Sequence, residues 1–139
     1  MTFNIDEILN HRPPMLMLDA LTESTETHAI AQKTFRPSDY GVSGDFVTEP
    51  ALIECMAQAM AAYRGQIARE RNIAPQPGLL VGVRDAQLLS RVRCGELLEI
   101  RVKITHRVGD FAVASCRVRR GEEIVASAML KFYVAGMER

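Results

Sequence analysis

The sequence contains no long apolar run, and this absence excludes a membrane-spanning helix. No segment reaches the ~18 consecutive apolar residues that a helix needs to cross a bilayer. The opening residues, "MTFNIDEILNHRPP", lack a basic stretch followed by an apolar one, so we expect no secretory signal. From these two absences we expect a chain that works in the cytoplasm.

The sequence also lacks an excess of either charge. Lys and Arg number 17, as do Asp and Glu, which gives a formal net charge of zero. The basic residues are spread among acidic ones with few aromatic residues between them, so a nucleic-acid partner is not expected. Apolar residues make up 47% of the chain, a share typical of a globular protein rather than a disordered one.

Paired cysteines are missing as well. Cys55, Cys94 and Cys116 stand singly, without a second cysteine or a histidine at the spacing of a zinc site. A disulfide framework is therefore not indicated, and we expect neither a metal nor another cofactor. All three cysteines are interpreted as small buried residues. A nucleophile pair of Cys55 and Glu54 is disfavoured, because neighbours on a helix point about 100° apart.

The length of 139 residues suits one core, and we predict a single domain over residues 1–139. The order of apolar and polar residues predicts a short helix, two strands, one long helix and then three or four antiparallel strands. The predicted ranges are 4–9 for the short helix, 15–24 and 27–35 for the first strands, and 49–71 for the long helix, with a break at 72–78.

The long helix is apolar on nearly every face, because Ala, Met and Leu fill most of the segment from Ala51 to Ala62. A single sheet can hide such a helix only by curling around it. We therefore predict an α+β fold in which a curled antiparallel sheet wraps one long central helix. One sheet edge would stay open, and a second copy of the chain would cover it most simply, so a dimer is predicted.

Glu54 places a carboxyl group inside this apolar helix. A buried carboxylate is costly unless it is paired, hydrogen-bonded or neutralised. One interpretation is structural, an ion pair with Arg84 or Arg91. The other is functional, a catalytic acid or base whose pKa is raised by its apolar surroundings. Gln58 follows four residues later, so both side chains address the same small volume.

Histidines and one aspartate offer further chemistry. His11 precedes a Pro-Pro pair that could fix its position, and it is either a structural hydrogen-bonding residue or a catalytic one. Asp45 precedes the long helix and could cap its amino terminus. His28 and His106 fall within strand patterns and are interpreted as surface residues.

Two motifs, at the separation they have here, resemble one enzyme family. The stretch "ILNHRPPMLMLD" is similar to the His-Arg-x-Pro opening of the hot-dog-fold 3-hydroxyacyl-(acyl-carrier-protein) dehydratases, and "IECMAQAMAA" is similar to their Glu-x-Met-Ala-Gln helix motif. With "VRDAQLLSRVRCGELLEIRVKI", which is similar to the strands that follow, the resemblance runs from about residue 5 to 134. It implies a double-hot-dog dimer with active sites at the dimer interface, which accept acyl chains on a phosphopantetheine arm.

The loop before the helix departs from the family pattern. In the fatty-acid dehydratases a Gly-His-Phe-Pro-Gly loop supplies the catalytic histidine, whereas Gly44-Asp45-Phe46 stands here and the connection to Glu54 is shorter. This loop is most similar to the dehydratase-like proteins of aryl-polyene-type clusters. By the resemblance Glu54 is the acid, and backbone N–H groups at the helix start polarise the thioester carbonyl. The base stays open between Glu54 itself, His11 and a paralogous partner chain.

The resemblance implies a dehydratase, or a dehydratase-type subunit, that converts 3-hydroxyacyl-(acyl-carrier-protein) thioesters to trans-2-enoyl thioesters in fatty-acid or polyene-type lipid biosynthesis. Its candidate catalytic residues are Glu54 and His11, and its candidate substrate contacts are Gln58, Asp45 and Phe46. The expected partners are an acyl thioester on a carrier protein or coenzyme A and a second hot-dog chain, identical or paralogous. A hot-dog thioesterase, in which Glu54 activates water, and a non-catalytic acyl-binding subunit are the alternatives.

Overall fold

The chain folds as an antiparallel sheet packed around one long helix, in a computed structural model that describes residues 2–74, 76 and 78–134. A short helix precedes the first strand, and a small hairpin precedes the long helix. In chain order the elements are α1 (Ile5–Ile8), β1 (Ala20–Ser24), β2 (His28–Thr34), β3 (Val42–Ser43), β4 (Phe46–Val47), α2 (Glu49–Glu70), β5 (Leu79–Leu88), β6 (Leu97–Val108), β7 (Phe111–Arg120) and β8 (Glu123–Tyr133).

The main sheet has six strands in the order β1-β2-β6-β7-β8-β5, and every neighbouring pair is antiparallel. At its centre Ile100 of β6 pairs with Val118 of β7, and Val102 pairs with Cys116. All four side chains are buried, while the residues between them on each strand are more exposed. The alternation of apolar and polar residues in the sequence therefore becomes an inner and an outer face of the sheet.

Helix α2 lies against the inner face and contacts β1, β2, β6, β7 and β8. The Tyr63 hydroxyl donates a hydrogen bond to the Thr25 carbonyl at 2.7 Å, which ties the helix to the β1–β2 turn. Gly65 allows α1 to approach closely, because a Cβ at this position would lie 2.7 Å from Ile8 Cγ2 and 2.9 Å from the Ile8 carbonyl oxygen. The predicted α+β architecture, a sheet around one central helix, is confirmed.

The first strand is shorter than predicted. Strand β1 begins at Ala20, although the sequence pattern predicted a strand from residue 15. The Met17 amide donates to the Gln58 side chain at 2.8 Å instead of to a neighbouring strand. A side chain of α2 thus takes the place of a strand partner for residues 15–17, which local propensity could not reveal.

The other predicted boundaries hold within a residue or two. Helix α1 is capped by Asn4, whose side chain accepts from the Asp6 amide at 3.0 Å. Helix α2 ends at Glu70, and Asn72 adopts a positive φ of 53° just beyond it. Within the predicted break at 72–78, Pro75 and Pro77 lie outside the described residues.

Strand β5 forms one edge of the sheet and is exposed along almost its whole length. It pairs only with β8, and two register shifts interrupt that pairing. Its apolar side chains include Leu79 and Val81, which are 61% and 51% exposed. In a single chain this edge leaves both backbone groups and apolar surface uncovered.

Two of the three cysteines are buried as expected. Burial raises the pKa of the Cys55 thiol and of the Cys116 thiol to about 12, which keeps both protonated and unreactive. Cys94 is half-buried, so the interpretation of this residue as buried was wrong. Its amide donates to the Asp45 carbonyl at 2.9 Å beside the turn of the β3–β4 hairpin, a position near the surface.

Among the described residues, no helix is both long and apolar enough to cross a membrane.

Candidate active site

Glu54 and Gln58 lie one turn apart on α2 and are hydrogen-bonded to each other. The Gln58 side-chain nitrogen Nε2 donates to Glu54 Oε2 at 2.7 Å. The same nitrogen donates to the Met15 carbonyl oxygen at 2.8 Å, and Gln58 Oε1 accepts from the Met17 amide at 2.8 Å. Gln58 is 1% exposed, so these bonds use its two N–H donors and its oxygen in a buried position.

The backbone of residues 15–17 fixes which way the Gln58 amide points. An amide N–H such as that of Met17 can only donate, so the Gln58 oxygen must face Met17 and the nitrogen must face Glu54. Glu54 Oε2 is therefore an acceptor. When the Glu54 carboxyl is protonated, its proton sits on Oε1.

No ion pair to Glu54 forms among the described residues, so the ion-pair interpretation was wrong. Arg84 lies on the exposed edge strand, with its Nε 3.9 Å from the Asp85 carboxylate. Arg91 stacks on the Phe46 ring, with its guanidinium carbon 4.6 Å from the ring centroid. Both arginines belong to exposed segments, and neither reaches the middle of α2.

Glu54 borders a cavity of about 230 Å³ between α2, the residues before β1, and the edge of the sheet. The polar residues that line it are His11, Glu54, Gln58 and Arg64. Its apolar residues are Ala57, Met60, Ala61, Leu80 and Phe132. The Glu54 carboxyl is half-buried, and its place beside this cavity allows it to transfer a proton to or from a bound ligand.

His11 and Glu54 thus share one cavity, as two candidate catalytic residues should. His11 Nδ1 is buried and has no hydrogen-bond partner in the described part of the chain. The Arg12 guanidinium donates to the Leu9 and His11 carbonyl oxygens at 2.8 Å each and holds the turn that carries His11. Whether the imidazole takes part in chemistry stays a prediction.

Asp45 and Phe46 lie away from this cavity in the single chain. Asp45 is exposed in the β3–β4 turn, and Phe46 is covered by the guanidinium groups of Arg91 and Arg93 at 4.6 and 5.0 Å. The expected reach of Asp45 to the helix amino terminus is not made. Thr48 occupies the N-cap position without a side-chain capping bond, and its hydroxyl donates to the Gly41 carbonyl instead. Substrate contact by Asp45 and Phe46 stays a prediction.

The other two histidines lie outside the cavity. His28 is half-buried and pairs with the Glu23 carboxylate, so its interpretation as a surface residue was only partly right. His106 is exposed on β6 and contacts the Thr105 hydroxyl at 3.1 Å. A larger cavity of about 650 Å³ at the carboxyl end of α2 is lined mainly by charged and polar residues and holds none of the predicted site residues.

Two charged residues were missed by the sequence reasoning. Arg64 lines the cavity of Glu54. The sequence could have indicated this, because successive members of the series Glu54, Ala57, Ala61 and Arg64 are three or four positions apart and therefore share one face of the helix. Lys33 is buried on the inner face of β2. Its ammonium lies 3.3 Å from Asp39 and 3.6 Å from Asp19. Lys33 occupies an inward position in the alternating pattern of β2. A lysine in a sequence is ordinarily interpreted as solvated, so its burial could not be expected without knowledge of the two aspartates.

An antiparallel sheet wrapped around one long central helix is the hot-dog fold. Within this fold class the chain belongs to the ApeP-like dehydratase family, because the family model described as ApeP dehydratase matches residues 3–138. The expectation of a dehydratase or dehydratase-type subunit is confirmed.

Curated relatives agree with this assignment. The chain is 33% identical over 135 residues to the 3-hydroxyacyl-(acyl-carrier-protein) dehydratase FabZ of Pseudothermotoga lettingae, covering 91% of this chain and 93% of the relative. It is 30% identical to the protein of the same name from Natranaerobius thermophilus, with 92% of each chain covered.

Solved structures show the same fold at lower identity. The dehydratase heterocomplex ApeI:P from Xenorhabdus doucetiae matches with a TM-score of 0.87 at 21% identity, covering 98% of this chain and 93% of that chain. A hypothetical thioesterase with coenzyme A from Streptococcus pneumoniae matches with a TM-score of 0.68 at 12% identity, covering 84% of each chain. At these identities the likeness concerns the fold alone.

Proposed function

We propose that this chain is the glutamate-bearing subunit of a dehydratase that converts 3-hydroxyacyl thioesters, carried on an acyl carrier protein, to trans-2-enoyl thioesters. The observation that carries the proposal is Glu54, a carboxyl group without a cationic partner among the described residues, which is held by Gln58 at the edge of a cavity lined by both polar and apolar residues. The relatives named as 3-hydroxyacyl-(acyl-carrier-protein) dehydratases support this substrate class.

In the proposed reaction Glu54 is the acid. A base removes the α-proton of the substrate, and the electrons of that C–H bond form the new double bond. The C–O bond at the 3-position breaks as Glu54 gives its Oε1 proton to the hydroxyl, so that water leaves. Gln58 holds Oε2 throughout and thereby keeps Oε1 as the proton-bearing atom. Gln58 acts through Glu54 and is a positioning residue.

The base comes from a paralogous hot-dog chain in this proposal. The chain has three histidines, and the loop before α2 contains none of them. The similar structure from Xenorhabdus doucetiae is a dehydratase heterocomplex, which supports a working unit of two different chains. His11, the imidazole that lines the cavity of Glu54, is the competing source of the base.

The partner would pair with strand β5. This edge strand exposes backbone groups and apolar side chains, including Leu79 and Val81. A second hot-dog chain that adds its own edge strand would satisfy the backbone and bury the apolar surface together. A stable, folded monomer at micromolar concentration, in sedimentation of the protein purified from its own cells, would contradict this part of the proposal.

Two thioester assays test the function. The assembly is purified through a tag on this chain and incubated with 3-hydroxyacyl and saturated acyl thioesters of a carrier protein. We expect the enoyl product from the first and no free thiol from the second. Free thiol from the saturated substrate would instead show a thioesterase, and no product from either would show a non-catalytic acyl-binding subunit.

The location of the protein in the cytoplasm stays a prediction.

A further inference from the structure

A groove runs beside α2 from Glu54 past Arg64. Near Glu54 its wall is formed by small or apolar residues, among them Ala57, Met60 and Ala61. A second cavity of about 310 Å³ continues from it, and the two share His11, Ala61, Arg64 and Gly78 as lining residues. Beyond Arg64 the lining includes Asn10 and Gln76 together with the apolar Ile8 and Leu9. An extended ligand that starts at Glu54 would therefore pass small and apolar residues and reach Arg64, which lines both cavities.

Arg64 is the charged group at this junction. Its Nη1 donates to the Gln76 carbonyl at 2.9 Å, and no carboxylate forms an ion pair with it among the described residues. Partial burial, together with the nearby charge of Arg107, lowers the pKa of the Arg64 guanidinium below its ordinary value. A guanidinium carries five N–H donors, so most of them are available to a ligand. An anion in this position would offset the cost of partly burying the charge.

Gly78 makes room for the guanidinium. A Cβ at residue 78 would lie 3.1 Å from Arg64 Nη1 and 3.3 Å from Val134 Cγ2, tighter than ordinary contact. The absence of a side chain there lets the Arg64 head group lie across the start of the strand that follows. The glycine thus leaves space for the arginine head group beside the groove.

The length of the groove fits an acyl chain. Arg64 follows Glu54 by ten positions on one helix, which places their Cα atoms about 15 Å apart. At roughly 1.2 Å per bond in an extended chain, this distance corresponds to about twelve bonds.

From these observations we infer that Arg64 is a specificity-determining residue that binds an oxygen acceptor, such as a carboxylate, at the far end of an acyl chain whose reacting carbons lie at Glu54. The inference rests on the proposed function, because it assumes that the acyl chain occupies this groove. It assigns the substrate class as acyl chains with a polar terminus rather than plain fatty acyl chains.

A pair of matched ligands tests the inference without turnover. Both carry a pentadecanoyl chain, in which about twelve bonds separate C3 from the terminal carbon, on pantetheine through an amide that cannot be hydrolysed or dehydrated. One ends in a carboxylate, and the other ends in a methyl group. Their dissociation constants are measured by calorimetry on the assembly purified through a tag on this chain. We expect Arg64→Met to weaken the carboxyl-ended ligand about tenfold or more, since a hydrogen bond to a charged group is lost. The methyl-ended ligand should change by less than about twofold.

Two further variants keep the test decisive. Arg64→Lys retains the charge but not the planar fork, so it should lose part of the preference. Gly78→Ala forces the guanidinium to shift by a few tenths of an ångström and should weaken the preference, which can be measured even if Arg64→Met does not fold. The control is Arg69→Met, because Arg69 is exposed on the same helix and pairs with Glu7 at 3.0 Å.

The outcomes separate this inference from the proposed function. If the methyl-ended ligand binds and Arg64→Met changes both ligands equally, or neither, the inference is wrong and the proposed function stands. The same holds if the wild-type assembly rejects the carboxyl-ended ligand. If neither ligand binds to the wild-type assembly, both the inference and the acyl-binding groove are wrong.

Discussion

Lys33 and Glu54 are two charged side chains on elements that build the core, and they are treated in opposite ways. Lys33 lies between two carboxylates, 3.3 Å from Asp39 and 3.6 Å from Asp19. Glu54 has a neutral amide as its hydrogen-bond partner. The charge of Lys33 is balanced by two opposite charges, whereas the Glu54 carboxyl has no cationic partner among the described residues. The first arrangement suits a structural role and the second suits chemistry.

The largest expected effect comes from removing the proton carrier. Glu54→Gln should lower turnover by ~10²-fold or more, because an amide cannot give a proton to the leaving hydroxyl. Folding should be kept or improved, since no cation is left unpaired. Thermal melts and turnover of the same preparation measure both, with Glu122→Gln in the exposed β7–β8 turn as the control. A destabilised variant with normal activity per folded molecule would contradict the catalytic role of Glu54.

Substitution of Lys33, the paired cation, should lower stability and leave turnover unchanged, which is the opposite of the result expected for Glu54. Lys33→Met leaves Asp19 and Asp39 without their cation and should cost about 1–2 kcal/mol of unfolding free energy, moderated because both carboxylates are partly exposed. Turnover per folded molecule should stay near normal. Urea unfolding measures the change, and Lys103→Met on the exposed side of β6 should alter it little. A loss of turnover without a loss of stability would contradict the structural role of Lys33 and its contrast with the catalytic role of Glu54.

His11 lines the same cavity as Glu54, so its substitution tests whether a second side chain there takes part in the reaction. His11→Ala should change the unfolding free energy by about 1 kcal/mol, because the imidazole packs in the turn before the prolines. Turnover per folded molecule should stay within a few-fold, since the base comes from the partner chain in the proposed mechanism. Steady-state kinetics of the purified assembly check this. A rate loss of ~10²-fold or more would assign the base to His11 instead.

The smallest expected effect is a pH dependence of the loop anchored by Lys33. Burial raises the pKa of Asp39, but the hydrogen bond from the Arg36 amide and the charges of Lys33 and Arg36 outweigh it, so the pKa lies below the ordinary value of 3.8. A depressed carboxyl pKa stabilises the fold above the unfolded-state pKa, and this stability is lost as pH falls through the folded-state value.

Comparison with Asp39→Asn measures this contribution. Wild type should be more stable at neutral pH by less than about 1 kcal/mol, because the carboxylate is partly exposed. The difference should shrink as pH falls below about 4, where the carboxylate takes up its proton. Melts at a series of pH values record it, and a difference that grows on acidification would contradict the lowered pKa.

The parts of the molecule that could be predicted are those set by local pattern. The spacing of Glu54 and Gln58 predicted a shared volume, and the structure places a hydrogen bond there. The alternation in β6 predicted an inner and an outer face, and the apolar length of α2 predicted its central position. In each case the sequence period alone carries the information.

The parts that could not be predicted depend on partners distant in the sequence. Residues 15–17 form no strand because Gln58, more than forty positions away, takes up their backbone groups. Lys33 is buried because Asp19 and Asp39 converge on it from two other segments. The open edge at β5 became visible only once the strand order was known.

The bond from the Met17 amide to Gln58 gives the site its own spectroscopic reporter. That amide proton is protected by a side chain of α2 and not by a sheet ladder. Its hydrogen–deuterium exchange should therefore follow the opening of the Glu54 pocket, while the amides of β6 and β7 follow unfolding of the sheet. A ligand that tightens the pocket should slow exchange at this one amide first, which allows engagement to be detected in a chain that turns over no substrate.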